Sequence, residues 1–364
     1  MMLSAISLFS GAGGMDVGFE KAGFHTLWAN DIDPNACKTF EANISDAIRC
    51  GPLSEFIDEL DTQPSPDVLF GGPPCQGFSV AGRMDATDPR SQLVYAFMDA
   101  VRRTRPRAFV LENVKALAQL EKFRGVRERL IQEAGALGYN CSLTVLRASD
   151  YDVPQNRERM FLVGFRDDAR ADDFVSNISL LKQPALSLKD IITPLGRAGS
   201  ATNNRLCRAK VTIAAKPVLR RSPYAGMMFN GQGRPLNPNG YASTLPASMG
   251  GNRTPIIDES QLHDGEASWV EEYHTHLCNG GDPLPFEAAP ERLRRLTIDE
   301  AILIQTFPKG YDFKGRNSSI FQQIGNAVPC ELAFHVATSV KSVLNGYISN
   351  VTTVGQMRFE LEAA

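Results

Sequence analysis

Asp67-Val-Leu-Phe-Gly-Gly-Pro-Pro-Cys75-Gln-Gly-Phe-Ser79 is the stretch from which the rest of the chain can be read outward. Val68 to Phe70 are a short apolar run closed by Gly71, Gly72, Pro73 and Pro74, the pattern of a buried strand that ends abruptly in a rigid, non-helical turn. The prolines fix φ just ahead of Cys75, and Gly72 and Gly77 let other atoms approach the backbone, so the thiol is held with open space around it. That placement suits a nucleophile. A lone buried cysteine is more often structural, but Pro-Pro-Cys-Gln-Gly at a strand end favours the reactive reading. A free thiol has a pKa of about 8.5 and needs a cationic or hydrogen-bonding partner to react near neutrality, so partners must come from elsewhere in the chain.

Upstream, Ala5 to Phe9 form a short apolar strand that runs into Ser10-Gly-Ala-Gly-Gly14, with a helix from about Met15 to Ala22. Strand, glycine turn and helix make a small-molecule cradle, because the glycines admit a ligand to the backbone and the helix N-terminus points free N–H groups at it. Leu27 and Trp28 start a second strand ending at Asn30-Asp31, where an acid about 20 residues past the turn would meet a ribose hydroxyl. Asp33 and Pro34 read as N-cap and N1 of the next helix. The glycine spacing is not Gly-x-Gly-x-x-Gly, which counts against NAD.

Downstream, Leu93, Val94, Phe97, Met98 and Val101 recur at helical spacing, and Arg107 to Leu111 form a strand ending in Glu112-Asn113-Val114. If the sheet is parallel, Glu112 sits on the same rim as Cys75; a solvated strand end is the plainer reading. Leu117, Leu120, Leu130, Ile131, Ala134 and Leu137 predict one helix stopped by Gly138. Cys141 to Leu146 and Met160 to Phe165 are two further strands. Between them, Gln155-Asn-Arg157-Glu-Arg159 places two arginines one residue apart, so that on a strand both point the same way and reach one site, unless they are merely a charged edge.

The chain has 364 residues, 43% of them hydrophobic, and a formal charge of -3, enough for one large domain plus a smaller one. It has no run of about 18 apolar residues and no basic-then-apolar leader, so a cytoplasmic protein is expected. Its cysteines, Cys37, Cys50, Cys75, Cys141, Cys207, Cys278 and Cys330, are scattered without a Cys-x-x-Cys pair, which argues against disulfides and a zinc cluster. His274-Thr-His276-Leu-Cys278 lacks a fourth ligand at a usual spacing, so no metal is expected.

Composition changes near residue 180. Residues 191–257 contain no Asp or Glu, yet hold Arg197, Arg205, Arg208, Lys210, Lys216, Arg220, Arg221, Arg234 and Arg253. In a slightly acidic chain such segregation marks a surface for an anionic polymer, on a second domain of loops and short strands. Regular structure returns with the capping box Thr297-Ile-Asp-Glu300, which starts a helix that stops near Pro308, and ends in an amphipathic helix to about Leu344.

These residues together resemble the DNA cytosine-5 methyltransferases of restriction-modification systems, with the main motifs in the family's order. Phe9-Ser-Gly-Ala-Gly-Gly14 is similar to the S-adenosylmethionine loop, Gly72-Pro-Pro-Cys75-Gln to the nucleophile loop, Glu112-Asn-Val to the acid and Gln155-Asn-Arg-Glu-Arg159 to the arginine pair. Arg294-Arg-Leu-Thr297 through Phe307-Pro308, and Gln323-Ile-Gly-Asn326, resemble the last two motifs. Ser243-Thr-Leu245 and Gly250-Gly251 are also similar to family members. Two departures stand out: an adenine-contacting Asp is replaced within Cys50-Gly51-Pro52, and Asp31 stands where Glu is commoner.

The resemblance implies a doubly wound, mostly parallel α/β sheet of the class I S-adenosylmethionine-dependent kind, as residues 1–180, with a smaller inserted target-recognition domain at 181–291. Residues 292–345 would complete the catalytic domain, leaving a weakly specified tail at 346–364. It implies S-adenosylmethionine held by Phe9, Ser10, Gly11, Ala12, Gly13, Gly14, Asn30, Asp31, Ile32, Gly72, Pro74, Leu93, Asn326 and Ala327. Cys75 would add to cytosine C6, with Glu112 at N3 and Arg157 and Arg159 at O2 and the flanking phosphate; the group that removes the C5 proton is left open. Double-stranded DNA would be met by Gln76, Ser79, Gln155, Arg220, Arg221, Arg234, Thr244 and Arg253, the target base being flipped out. A monomer is expected, with a restriction endonuclease sharing the site but not bound. An RNA cytosine methyltransferase on the same fold, and a catalytically idle DNA-binding relative, are the alternatives. An amino-methyltransferase would carry Asn or Asp before the prolines and an aromatic after them.

Overall fold

The computed structural model describes residues 2–74, 92–166 and 171–346. Cys75, Gln76 and Ser79 lie outside the described residues, as does the tail from residue 347. The chain divides into two compact units: residues up to 151, 158–183 and from 330 onward form the first, and residues 152–157 and 184–329 the second.

In the first unit a sheet is built from β1 (Leu3–Leu8), β2 (Phe24–Asp31), β3 (Ile48–Cys50), β4 (Val68–Gly71), β5 (Ala108–Val114), β6 (Tyr139–Arg147) and, after the two-residue β7 (Gln155–Asn156) of the second unit, β8 (Glu158–Arg166). Its order is β3-β2-β1-β4-β5-β8-β6. Pairings from β3 through β5 are parallel, and only β8 runs antiparallel to its neighbours β5 and β6. This is the expected mostly parallel α/β sheet. Helices on both faces explain why the central strands read as unbroken apolar runs. Ile6, Leu8, Leu69, Phe70, Phe109 and Leu111 are all fully buried.

Helix α1 (Gly14–Lys21) follows the glycine turn, and its Phe19 stacks on Phe70 with ring centroids 4.0 Å apart. Asp33 caps α2 (Pro34–Asn43) as the sequence predicts, accepting from the backbone N–H groups of Asn35 and Ala36. The single helix predicted from Leu117 to Leu137 is instead two, Lys115–Gln119 and Arg124–Ala136, because the chain is extended at Leu120 (φ -78, ψ 134). Their apolar positions continue the pattern because Leu117, Phe123, Leu130 and Ala134 all enter one core. Ile131, counted in that pattern, is exposed.

The C-terminal helix Cys330–Leu344 lies on α1. A Cβ at Gly18 would stand 2.5 Å from the Phe334 backbone nitrogen, so only glycine permits this approach, which Lys21 and Glu331 bridge at 2.7 Å. The second unit holds 292–329, which the sequence assigns to the catalytic domain. There β13 (Leu293–Arg295) pairs antiparallel with β12 (Ile256–Asp258), and the Thr297–Glu300 capping box forms as predicted while bonding the buried Asn203. The acid-free stretch itself contributes a hairpin, β9 (Ile213–Val218) with β10 (Met227–Phe229), and the short β11 (Ala242–Ser243), as expected of short strands among loops.

Gly18→Ala should force α1 off the C-terminal helix and cost about 1–3 kcal/mol, or more because backbone atoms must move. Thermal unfolding reads this directly; an unchanged Tm would refute the close packing.

Candidate active site

The strand order reverses between β1 and β4, since the chain builds outward through β2 and β3 and then returns to the other flank of β1. In open α/β sheets ligands bind outside the C-terminal strand ends at such a reversal, which puts the candidate site at the ends of β1 and β4. At Gly71 a Cβ would meet the Leu8 carbonyl oxygen at 2.2 Å, so the two strands close up only with glycine there.

On the β1 side the turn Phe9–Gly13 is held to the end of β2. Ser10 N–H donates to the Asn30 carbonyl at 3.0 Å, and Gly11 N–H to Asp31 Oδ2 at 2.7 Å. Asp31 Oδ1 also accepts from Asp33 N–H at 2.8 Å. Burial raises the Asp31 carboxyl above its ordinary value, and these backbone donors oppose the rise. Phe9, a bulky residue, sits at φ 54, and Gly11 and Gly13 at φ 56 and 83; a Cβ at Gly11 would meet nothing within 4 Å. Strain at Phe9 beside open space at Gly11 fits a backbone shaped for a ligand. Ile32 is 67% exposed immediately after Asp31, an apolar side chain available to a flat ring. Asn30 differs from expectation. It is buried, and its side-chain amide donates to the carbonyls of Arg49 and Gly51, tying β2 to the end of β3. Ala12 is likewise buried, while Leu93 starts the helix Leu93–Thr104 and is half-buried.

On the β4 side, Gly72 to Pro74 lead out toward Cys75 beside β5. Asn113 Nδ2 donates to the Pro73 carbonyl at 3.1 Å, and a Cβ on Gly72 would lie 2.9 Å from Glu112 Oε2. Because β8 is antiparallel, its first residues face the end of β5, and Val114 pairs with Arg159. Arg159 Nε is 2.9 Å from Glu112 Oε1, with the two side chains only 14% and 11% exposed. Lys115 and Glu158 form a second pair nearby at 2.9 Å.

The second unit takes up the other arginine. Arg157 lies between β7 and β8, is buried, and donates to the carbonyls of Leu245 and Gly325 at 3.3 and 3.1 Å. Arg157 and Arg159 therefore do not share one continuous strand, the condition the alternation rule needs, because β8 begins at Glu158. Gln155, expected at DNA, is fully buried; its amide donates to Gln305 Oε1 and accepts from Leu245 N–H. The β7–β11 pairing turns it inward. Thr244 is exposed and bonds the Asn156 carbonyl. Asn326, exposed, ends the helix Asn317–Asn326, and the Ala327 carbonyl accepts from Gln305 at 2.6 Å.

Of the nine cations in the acid-free stretch, Arg197 pairs with Asp264 and Arg205 with Asp299. Arg208, Lys210, Lys216, Arg220, Arg221, Arg234 and Arg253 are all exposed and make no ion pair among the described residues. Among the described residues no group of three or more His, Cys, Asp or Glu is placed to hold a metal.

The profile of C-5 cytosine-specific DNA methylases matches residues 3–342. The chain belongs to this family. It is a DNA cytosine-5-methyltransferase. It is 32% identical to the type II methyltransferase M.NgoPII of Neisseria gonorrhoeae, over 94% of this chain and 96% of that protein. With M.MthTI of Methanothermobacter thermautotrophicus the identity is 33%, over 96% and 100%. The solved Entamoeba histolytica methyltransferase EhMeth superposes with a TM-score of 0.66 at 15% identity, over 96% and 100% of the two chains, which supports the fold.

For this methyltransferase, sequence reasoning passed over Asn113 and Gln305. Asn113 braces the Gly72–Pro74 stem, and its signal was present in Glu112-Asn-Val. Gln305 is fully buried and holds Gln155, Ile324 and Ala327, a long-range convergence with no local signature. The arginines should separate experimentally. Arg159→Ala should lower the rate about 100-fold or more with most of the stability retained. Arg157→Ala, which leaves buried carbonyls unmet, should cost about 2–4 kcal/mol in denaturant unfolding. The opposite pattern would contradict the assignment.

Proposed function

We propose that the chain methylates C5 of a flipped-out cytosine in a specific double-stranded DNA sequence, through a bond between Cys75 and C6. The observation that carries the reading is the Glu112–Arg159 pair beside the Gly72–Pro74 stem, from which Cys75 follows. Cytosine C5 is a poor nucleophile. Addition of the Cys75 thiolate to C6 moves the C5–C6 π pair to C5 and makes the ring an enamine. Glu112, oriented by Arg159, holds a proton at N3 and draws charge from the ring, while the guanidinium adds positive potential that favours the thiolate. Loss of the C5 proton, to water in this reading, then expels the Cys75 thiolate and restores the ring. C6 is inaccessible within a stacked duplex, so the nucleotide must leave the helix.

S-adenosylmethionine, when bound, would supply an electrophilic methyl that C5 takes before its proton is lost, the S–CH3 bond breaking and the donor leaving as a neutral thioether. The residues to hold it are the turn Phe9–Gly14, with open space at Gly11, Asp31 for ribose hydroxyls and Ile32 for the adenine face. Gly72, Pro74, Leu93, Asn326 and Ala327 complete the proposed contacts. DNA is proposed to meet the exposed, unpaired cations of the second unit, with Arg220 and Arg221 just beyond β9, together with Gln76, Ser79 and Thr244. His274 Nε2 lies 2.8 Å from the Arg220 carbonyl, so the backbone presenting these arginines is anchored to the helix Trp269–Cys278.

DNA carrying 5-fluorocytosine at the target should trap a denaturation-resistant adduct, because fluorine cannot leave as a proton does. Cys75→Ala should give none; methylation by that variant above a trace rate would end the covalent mechanism. Phosphate contacts release counterions, with a slope of log affinity on log salt of about -0.9 per contact. Removing Arg220 and Arg221 together should make that slope shallower and weaken all sequences alike if they touch phosphate. If they read guanine edges, the loss should be confined to the specific site, about 1–3 kcal/mol per contact. No change in affinity or slope would exclude the pair from the interface.

A further inference from the structure

Asp16, in the first turn of α1, is fully buried. Its Oδ2 accepts from Ser7 Oγ at 3.0 Å and its Oδ1 from Thr26 Oγ1 at 3.3 Å. Ser7 Oγ is in turn 2.9 Å from Ser10 Oγ, and the Ser10 hydroxyl is 3.2 Å from the Ser7 carbonyl and 3.3 Å from that of Asn30. A hydrogen-bond chain thus runs from a buried carboxyl to the turn after β1 and to the strand end that carries Asp31. We infer that Asp16 is a positioning residue for the cofactor turn, acting through Ser7 and Ser10, so that its protonation is coupled to S-adenosylmethionine binding. The inference rests on the cofactor reading of that turn.

Counting hydrogens shows how the coupling arises. An ionised Asp16 can only accept, which commits the Ser7 and Thr26 hydroxyl hydrogens to it. Ser7 Oγ then accepts from Ser10, whose hydrogen is turned from the Asn30 carbonyl. A protonated Asp16 can donate to Ser7, Ser7 to Ser10, and Ser10 to Asn30. One proton reverses the chain and changes what holds the turn to β2.

The titration falls in a usable range. Burial, the largest cause, raises Asp16 to about 7, with Glu20 adding to the rise and the Ser7 and Thr26 hydroxyls opposing it. The charged or titratable groups around it are Glu20 and Lys21 on α1, His25 on β2 near Glu20, and Cys330 and Glu331 on the C-terminal helix. Lys21 is taken by Glu331, and among the described residues no cation bonds Asp16. A carboxyl whose folded pKa exceeds its unfolded value contributes stability that is intact below about pH 4 and lost as pH rises through about 7. A sulfonium bound at the turn favours the ionised form and restores part of that loss. Affinity for the cofactor should therefore rise with pH through about 7.

The test is the S-adenosylmethionine Kd of the full chain, by calorimetry between about pH 6 and 8.5, for wild type, Asp16→Asn and Ser7→Ala. The ratio of Asp16→Asn to wild-type Kd at each pH cancels the titration of the ligand's own amino group and of Asp31. That ratio should climb about fivefold or more across the range, and Ser7→Ala should show a flattened dependence like Asp16→Asn. A constant ratio would overturn the coupling. Wild-type behaviour in Ser7→Ala would overturn the route through the serines, and that variant carries the test alone if Asp16→Asn does not fold. Folded wild-type protein with no S-adenosylmethionine affinity at any pH would instead remove the cofactor reading, and this inference with it.

Discussion

The close parallel pairing of β4 with β1 is the constraint on which the rest of the site depends. It requires a residue without a side chain at Gly71, where a Cβ would stand 2.2 Å from the Leu8 carbonyl oxygen. With the strands closed up, the turn after Leu8 and the Gly72–Pro74 stem start from adjacent strand ends. The first is the glycine turn and the second leads to Cys75. β5, paired in parallel to β4, brings Glu112 to the same edge, and the reversal of β8 brings Arg159 back to meet it. Four chemical elements distant in sequence converge because of strand order alone.

Electrostatics within this frame divide by exposure. Pairs such as Arg124 with Glu128 and Arg129 with Glu133 are solvent-exposed, and such pairs contribute roughly 0–1 kcal/mol each. Arg159 with Glu112 is largely withdrawn from water, where losing one partner leaves a charge poorly solvated. Its geometry is consequently well defined, which matters more than its net stability for the role proposed for Glu112. The second unit follows the opposite rule, leaving most of the cations of its acid-free stretch exposed and without acidic partners.

What was legible in the sequence was whatever local physics dictates. The apolar run into Gly71-Gly72-Pro73-Pro74, the Asp33-Pro34 cap and the Thr297–Glu300 capping box all form as read, because each depends on neighbours within a few residues. The failures share a cause. The alternation argument for Arg157 and Arg159 assumes one strand, but β8 begins only at Glu158; Arg157 donates to the Leu245 and Gly325 carbonyls and Arg159 meets Glu112. Gln155 was taken for a surface contact because nothing local reveals Gln305 opposite it. Residues 292–329 were placed by the family resemblance of their motifs; within the second unit the antiparallel pairing of β13 with β12 fixes their local packing. Asp16 carries no local mark in the sequence, and its character comes from complete burial against Ser7 and Thr26.

Bisulfite sequencing of DNA from cells expressing the chain tests the central claim most directly. Cytosines at one recurring sequence should resist conversion, and all should convert in cells expressing Cys75→Ala. Complete conversion with folded wild-type protein present, or protection that persists with Cys75→Ala, would contradict the account.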